Sequence, residues 1–163
     1  MALTFRSFPL TRLAYMLILG HCIILMIGGH YTYAEVPLFD YFKDIFGWTR
    51  NYYDKVGHFA QGFIPAIIVR EIVIRKEIVN GAGWQFVFIT AFCLGVSAFY
   101  ELIEWWVALA SGESAEAFLG TQGDSWDTQS DMAFALLGAM SSLILLRKAH
   151  DKALLKFYTA LKK

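Results

Sequence analysis

The sequence predicts an all-α, polytopic membrane protein. The expected architecture is a four-helix transmembrane bundle with both termini cytoplasmic and an amphipathic C-terminal tail. Three observations predict it. Hydrophobic residues make up 57 % of the 163 residues and charged ones only 17 %, with a mean hydropathy of +0.47. That is too apolar for an ordinary soluble domain of this length. The apolar residues gather into four runs, approximately 13–33, 54–74, 84–109 and 126–146, which together make a single domain. Finally, Lys and Arg are unevenly shared between the connecting segments. The leader has two, the 70–76 turn three and the tail six, while the 30–55 loop has three and the 111–125 loop none. By the positive-inside rule the basic side is cytoplasmic.

Each element follows from its residues. The first run carries His21 and Cys22 in its middle. Its basic start and the following Thr32-Tyr33-Ala34 resemble a signal peptide, but the bulky residues there argue for a retained helix. Residues 30–53 are rich in Tyr, Phe and Trp, which favour the membrane–water interface, with a short amphipathic helix expected near Leu38–Phe46. The second run contains Pro65, which frees a carbonyl near Gln61. At its far end Arg70 and Glu71 are expected to snorkel. A charged turn, Arg75-Lys76-Glu77, and Asn80-Gly81-Ala82-Gly83 close it.

The third run is uncharged from 84 to 100 and then bears Glu101 and Glu104, with Trp105 and Trp106 marking the interface. Ser111–Thr121 is an acidic loop. The fourth run has Ala135, Gly138, Ala139 and Ser142, small enough for close helix contact. In the tail, 147–163, Leu154, Phe157, Tyr158 and Leu161 share a face opposite lysines. That face suits an anionic cytoplasmic leaflet, and a frayed charged end is the alternative. Cys22 and Cys93 lie in apolar runs and read as small buried hydrophobes. The apolar composition makes membrane lipids the expected partners, and a net charge of zero implies no nucleic-acid partner.

Three runs carry polar stripes. Asp54, His58 and Gln61 are spaced i, i+4, i+7, as are Ser97, Glu101 and Glu104. Asp124, Asp127 and Asp131 are spaced i, i+3, i+7, and share a face if the fourth helix starts near Asp124. A carboxylate within such a run costs roughly 2.5–3.5 kcal/mol on insertion scales. With the predicted topology all three stripes fall in the outer half, where His30 and Gln129 could join them. A polar chamber opening outward is the expected result. Its carboxylates outnumber Lys55 and His58, so either some are protonated or a cation neutralises them. A hard divalent ion suits oxygen ligands, and His58 also admits a transition metal. Blander readings stand beside this one. Asp54, Asp124 and Asp127 are also the residues expected to cap helices, Lys55 could snorkel, and His58 could be a hydrogen-bonded core histidine.

The strings Gly28-Gly-His-Tyr-Thr-Tyr-Ala34, Arg50-Asn-Tyr-Tyr-Asp-Lys-Val-Gly-His-Phe-Ala-Gln-Gly-Phe63, Tyr100-Glu-Leu-Ile-Glu-Trp105 and Gly120-Thr-Gln-Gly-Asp-Ser-Trp-Asp-Thr-Gln-Ser-Asp-Met132 closely resemble the YjdF family of bacterial inner-membrane proteins. More distantly, Asp54-Lys55-x-x-His58 before a helix, a Glu on the next helix and Asp131 opening the last resemble the VanZ-like pattern. The first resemblance implies a multi-pass protein of the bacterial inner (plasma) membrane, whose longer relatives carry a further hydrophobic segment upstream. The second implies, by analogy of fold, an enzyme acting on phosphate-linked lipid head groups, a hydrolase or a transferase. His58 would be its base or nucleophile, oriented by Asp54 or Asp131, and Lys55 would hold a phosphate oxygen. Glu101, Glu104, Asp127 and Asp131, with His58 as a possible addition, would hold a divalent metal ion or relay protons. The alternative is a non-enzymatic role: cation binding or transport, or a small subunit of a membrane complex.

Overall fold

A computed structural model describes residues 7–111 and 122–161, and these form six α-helices with no strand. They are α1 (Arg12–His30), α2 (Pro37–Phe46), α3 (Tyr53–Arg75), α4 (Ala82–Ser111), α5 (Asp127–Leu145) and α6 (Arg147–Leu161). The acidic loop expected before α5 falls largely outside the described residues. Three helices, α1, α3 and α4, are long and apolar enough to cross a membrane. The fourth candidate is α5 taken with α6, a pair bent by 62°. The expected short helix in the aromatic loop is present as α2. Proline at its first turn costs no hydrogen bond, and Gly47, at φ 65°, ends it. Leu38, Tyr41, Ile45 and Phe46 stand exposed on it.

The central element is α3. It packs most closely on α5 and also touches α1 and α4. Two glycines explain that closeness. A Cβ on Gly62 would lie 1.7 Å from the carbonyl oxygen of Ala135, and one on Gly138 would lie 2.1 Å from that of Phe59. The helices therefore touch backbone to backbone, as small residues allow in apolar surroundings. Ala135, Gly138, Ala139 and Ser142 are all buried there. Below them Ala66, Val73, Ile89, Cys93, Ala139 and Leu143 form the apolar core. The outer faces of the helices are apolar and uncovered: Met26 is 64 % exposed, Leu109 66 % and Leu145 70 %. This is an inside filled by small and polar groups, with large apolar side chains turned to lipid.

Arg70 and Glu71 do not snorkel. Glu71 is fully buried and accepts from the Thr11 amide (2.8 Å), the Thr11 hydroxyl (2.7 Å) and Arg75 (2.8 Å). His150 Nε2 lies 3.3 Å from it. Arg70 pairs with Asp151 at 2.6 Å and meets His150 Nδ1 at 2.8 Å. These bonds tie the starts of α1 and α6 to the end of α3. A carboxylate with partners on two other helices is better served inside than at an interface. The tail accordingly docks through His150 and Leu154, both buried, while Leu155 and Tyr158 stay exposed.

Candidate polar chamber between four helices

At the other end of α3 the close crossing with α5 sets acid against base. Tyr53 opens the helix, so Asp54, Lys55 and His58 lie in its first two turns, and Asp127 and Asp131 in those of α5. The Lys55 ammonium is buried among carboxylates: Asp127 at 2.6 Å, Asp131 at 2.7 Å and Asp54 at 3.4 Å. Arg50, in the loop before α3 and 4 % exposed, bonds Asp54, Asp127 (2.6 Å) and Asp124 (3.5 Å). Burial alone would lower the pKa of that guanidinium. The hydrogen bond to Asp127 and the charges of Asp54, Asp127 and Asp124 outweigh burial and raise it.

Arg50 was legible only as one of the few basic residues on the outer side; its pairing with three acids has no periodic signal. Asn51 is equally silent in sequence. It is fully buried and donates to the Val36 carbonyl and to Asp40, both at 3.0 Å. Its backbone exchanges two 3.0 Å bonds with the Gln122 side chain, which holds the loop against the approach to α5.

His58, Gln61 and Glu104 face a cavity of about 330 Å³, while Glu101 lies behind His58 and is not part of its lining. Its walls are His21 and Leu25 of α1, Gly57, His58 and Gln61 of α3, and Tyr100 and Glu104 of α4, with Asp54, Asp127 and Asp131 beside them. His58 Nδ1 lies 3.1 Å from the Gln61 side-chain oxygen and 3.8 Å from Glu101, and its Nε2 lies 3.6 Å from Asp131. One ligand atom from each of His58, Glu101 and Asp131 fits within 4.8 Å of the others. The Glu101 side chain is only 9 % exposed, and its Oε1 has no hydrogen-bond partner. A buried carboxylate oxygen without a donor is costly and calls for a physical reason.

Asp54, Asp127 and Asp131 form a second group of the same compactness. Its centre is taken by Lys55, so it is a closed ion cluster rather than an open cation site. The structure therefore separates residues that the sequence reading grouped. Asp127 answers to Arg50 and Lys55. Lys55 is committed to three acids instead of facing a phosphate. Asp54 pairs with Arg50 and Lys55, leaving Asp131 as the aspartate that faces the His58 ring. Helix α5 starts at Asp127, which leaves Asp124 outside it, accepting from the Trp126 amide at 2.9 Å. His30 is exposed, edge-on to Tyr31, and Gln129 is exposed; neither lines the cavity. Ser97 is buried with its hydroxyl oxygen unpartnered. His21, which the sequence offered only as a mid-membrane polar residue, is part of the wall.

The turn after α1 forms a further wall. Thr32 and Tyr33 both take positive φ, 56° and 58°, although neither is glycine. Such residues cost about 1–3 kcal/mol each and persist where other contacts determine them. Here the Tyr33 amide bonds the Gly28 carbonyl at 2.7 Å and the Tyr33 hydroxyl reaches the Leu25 carbonyl at 3.3 Å. The ring lies so close over Gly28 that a Cβ there would sit 2.1 Å from it. Tyr33 thus lies over the α1–α3 groove beside His58, and burial first, then the charge of Glu104, raises its pKa.

Comparison with known proteins agrees with this membrane architecture. The family described as "Predicted membrane protein (DUF2238)" matches residues 1–152. The Inner membrane protein YjdF of Escherichia coli (strain K12) is 52 % identical over 154 residues, 94 % of this chain and 74 % of that protein. No solved structure matches the chain.

Proposed function

The chain belongs to the DUF2238 family of predicted membrane proteins, is an integral membrane protein, and we propose that its chamber hydrolyses or exchanges phosphate-linked lipid head groups with the help of a divalent cation. The observation that carries this reading is the unpartnered Oε1 of Glu101, facing His58 and Asp131 across a ligand-sized gap. Asp54, Glu101, Glu104, Asp124, Asp127 and Asp131 surround only two fixed cations, Arg50 and Lys55, and both are already paired. A phosphate would be repelled from such a place. A divalent ion on His58, Glu101 and Asp131 would reverse the local sign, polarise the phosphoryl oxygen and favour ionisation of a bound water.

Glu104 lines the same cavity and is the group free to move a proton. In hydrolysis the water oxygen would bond to phosphorus and the bond from phosphorus to the leaving alcohol would break. Glu104 would take the water's proton and return it to the departing oxygen. The basic-residue asymmetry would place this chamber in the outer half of the inner membrane, at head-group depth. The likeness of Asp54-Lys55-x-x-His58 to the VanZ-like pattern points to the same class of chemistry.

The test is to incubate purified protein with labelled phospholipids and isoprenyl phosphates, with and without manganese or zinc. Metal-dependent release of label, lost in His58→Ala and Glu101→Gln, is the expected result. No turnover of any of them, or a His58→Ala variant equal to wild type, would refute the reading. The same ligand triad also suits a protein that binds a cation without chemistry. A transmembrane ion flux in proteoliposomes, abolished by Glu101→Gln, would favour that second reading.

A further inference from the structure

We propose that the chamber is entered sideways, by a lipid whose head group passes from the bilayer through a gap between α1 and α4. This rests on reading the chamber as a head-group site, and it identifies the substrate as a molecule that keeps its chains in the membrane. Helix α1 packs on α3 and α6, and α4 packs on α3 and α5, while α1 and α4 share no extensive contact. The cavity nevertheless has walls from both: His21 and Leu25 on one side, Tyr100 and Glu104 on the other, with His58 on α3 behind them. Leu25 and Tyr100 are 44 % and 43 % exposed, among the large apolar side chains that the fold leaves uncovered, and also line the cavity. Side chains that belong to both surfaces mark the place where the two are continuous.

The walls change character across that opening. Leu25 and the Tyr100 ring offer apolar contact at the rim, and Glu104 and His58 offer polar contact within, matching an amphiphile that enters head first. Tyr33 covers the groove between α1 and α3 from the connecting-loop side, held by its bonds to Gly28 and Leu25. A volume of about 330 Å³ holds a phosphate head group but not the chains as well. They would remain in the bilayer, against the rim.

The test needs no turnover. The protein is reconstituted with a phospholipid carrying a diazirine near the carbonyl end of one chain, irradiated, and mapped by peptide mass spectrometry. Met26 and Phe99, neighbours in sequence of Leu25 and Tyr100, are 64 % and 55 % exposed but do not line this cavity, and serve as controls at the same depth. The expected result is several-fold more label on Leu25 and Tyr100 than on these two. In Leu25→Trp, where an indole would fill the rim, label on Tyr100 should fall to the control level. Tyr100→Ala should widen the gap and keep or raise the label on Leu25. Equal labelling of all four positions, or Tyr100 labelling unchanged by Leu25→Trp, would overturn the proposal. Release of phosphate from the same vesicles is scored separately. Focused labelling without release leaves the gap standing and refutes the chemistry; release with even labelling does the reverse.

Discussion

The two ends of α3 both bury carboxylates, and they bury them differently. At the Arg75 end, Glu71 receives two bonds from Thr11 and one from Arg75 and lies beside His150. A small cleft of about 60 Å³ lies nearby, and Glu71 does not line it. At the Tyr53 end four aspartates, Asp54, Asp124, Asp127 and Asp131, share Arg50 and Lys55, one oxygen of Glu101 is left without a hydrogen-bond donor, and its neighbours His58 and Asp131 line a cavity several times larger. A buried charge with every lone pair answered is a joint between helices. A buried charge left short beside an open space is a place where something else can bind.

That contrast can be broken first at the joint. Glu71→Ala removes the acceptor for Thr11 and Arg75 and leaves a buried guanidinium without its partner. It should cost about 3–5 kcal/mol, the usual penalty for breaking a buried pair. Thermal unfolding in detergent should show a large drop, and α6 should become accessible to protease. A small change would mean that the joint is not what holds α1 and α6 to α3. Next in size is the crossing that builds the chamber. Gly62→Ala places a methyl group against the Ala135 carbonyl and should cost about 1–3 kcal/mol as the helices separate. Reactivity of a cysteine introduced at Ala135 would report the separation.

The chamber should respond in the opposite sense to the joint. Glu101→Gln removes the charge from a carboxylate with one oxygen lacking a donor, so stability should hold or rise by up to about 1 kcal/mol. Cation binding should be lost in the same variant. A Glu101→Gln protein as damaged as Glu71→Ala would erase the distinction between the two ends. The smallest effect concerns pH acting through Arg50. Its raised pKa means that the folded state holds the proton more tightly than the unfolded chain. That contribution is complete below the unfolded value and fades only as the pH rises through the folded one. Between about pH 6 and 9, far below the guanidinium range, the deficit of Arg50→Met should therefore stay constant. A deficit that shrinks with rising pH across that window would contradict the pairing.

Much of this architecture is written in local pattern. Runs of apolar residues gave the helices, the aromatic loop showed a short amphipathic helix near Leu38–Phe46, and the small residues of α5 marked its packing face. The spacings of Asp54 with His58 and of Glu101 with Glu104 put the polar groups on common faces. What local pattern does not carry is pairing between distant positions. Arg50 looked like a loop cation, and Arg70 and Glu71 like residues at a membrane boundary. Their distant partners lie 60 to 81 positions away, at Thr11, Asp124, Asp127, His150 and Asp151. The same limit applied to Lys55, whose three acids convert an expected phosphate ligand into an internal counter-ion. Gly62 carries no local signal of its own; the Ala135 carbonyl shows why nothing larger fits there.

Calorimetric titration of the purified, metal-stripped protein with manganese or zinc tests the chamber most directly. One ion should bind per chain in wild type and in the conservative joint variant Glu71→Gln, and none in Glu101→Gln or His58→Ala. Absence of binding by a folded wild-type protein, or equal binding by Glu101→Gln, would show that the uncompensated oxygen is not waiting for a cation.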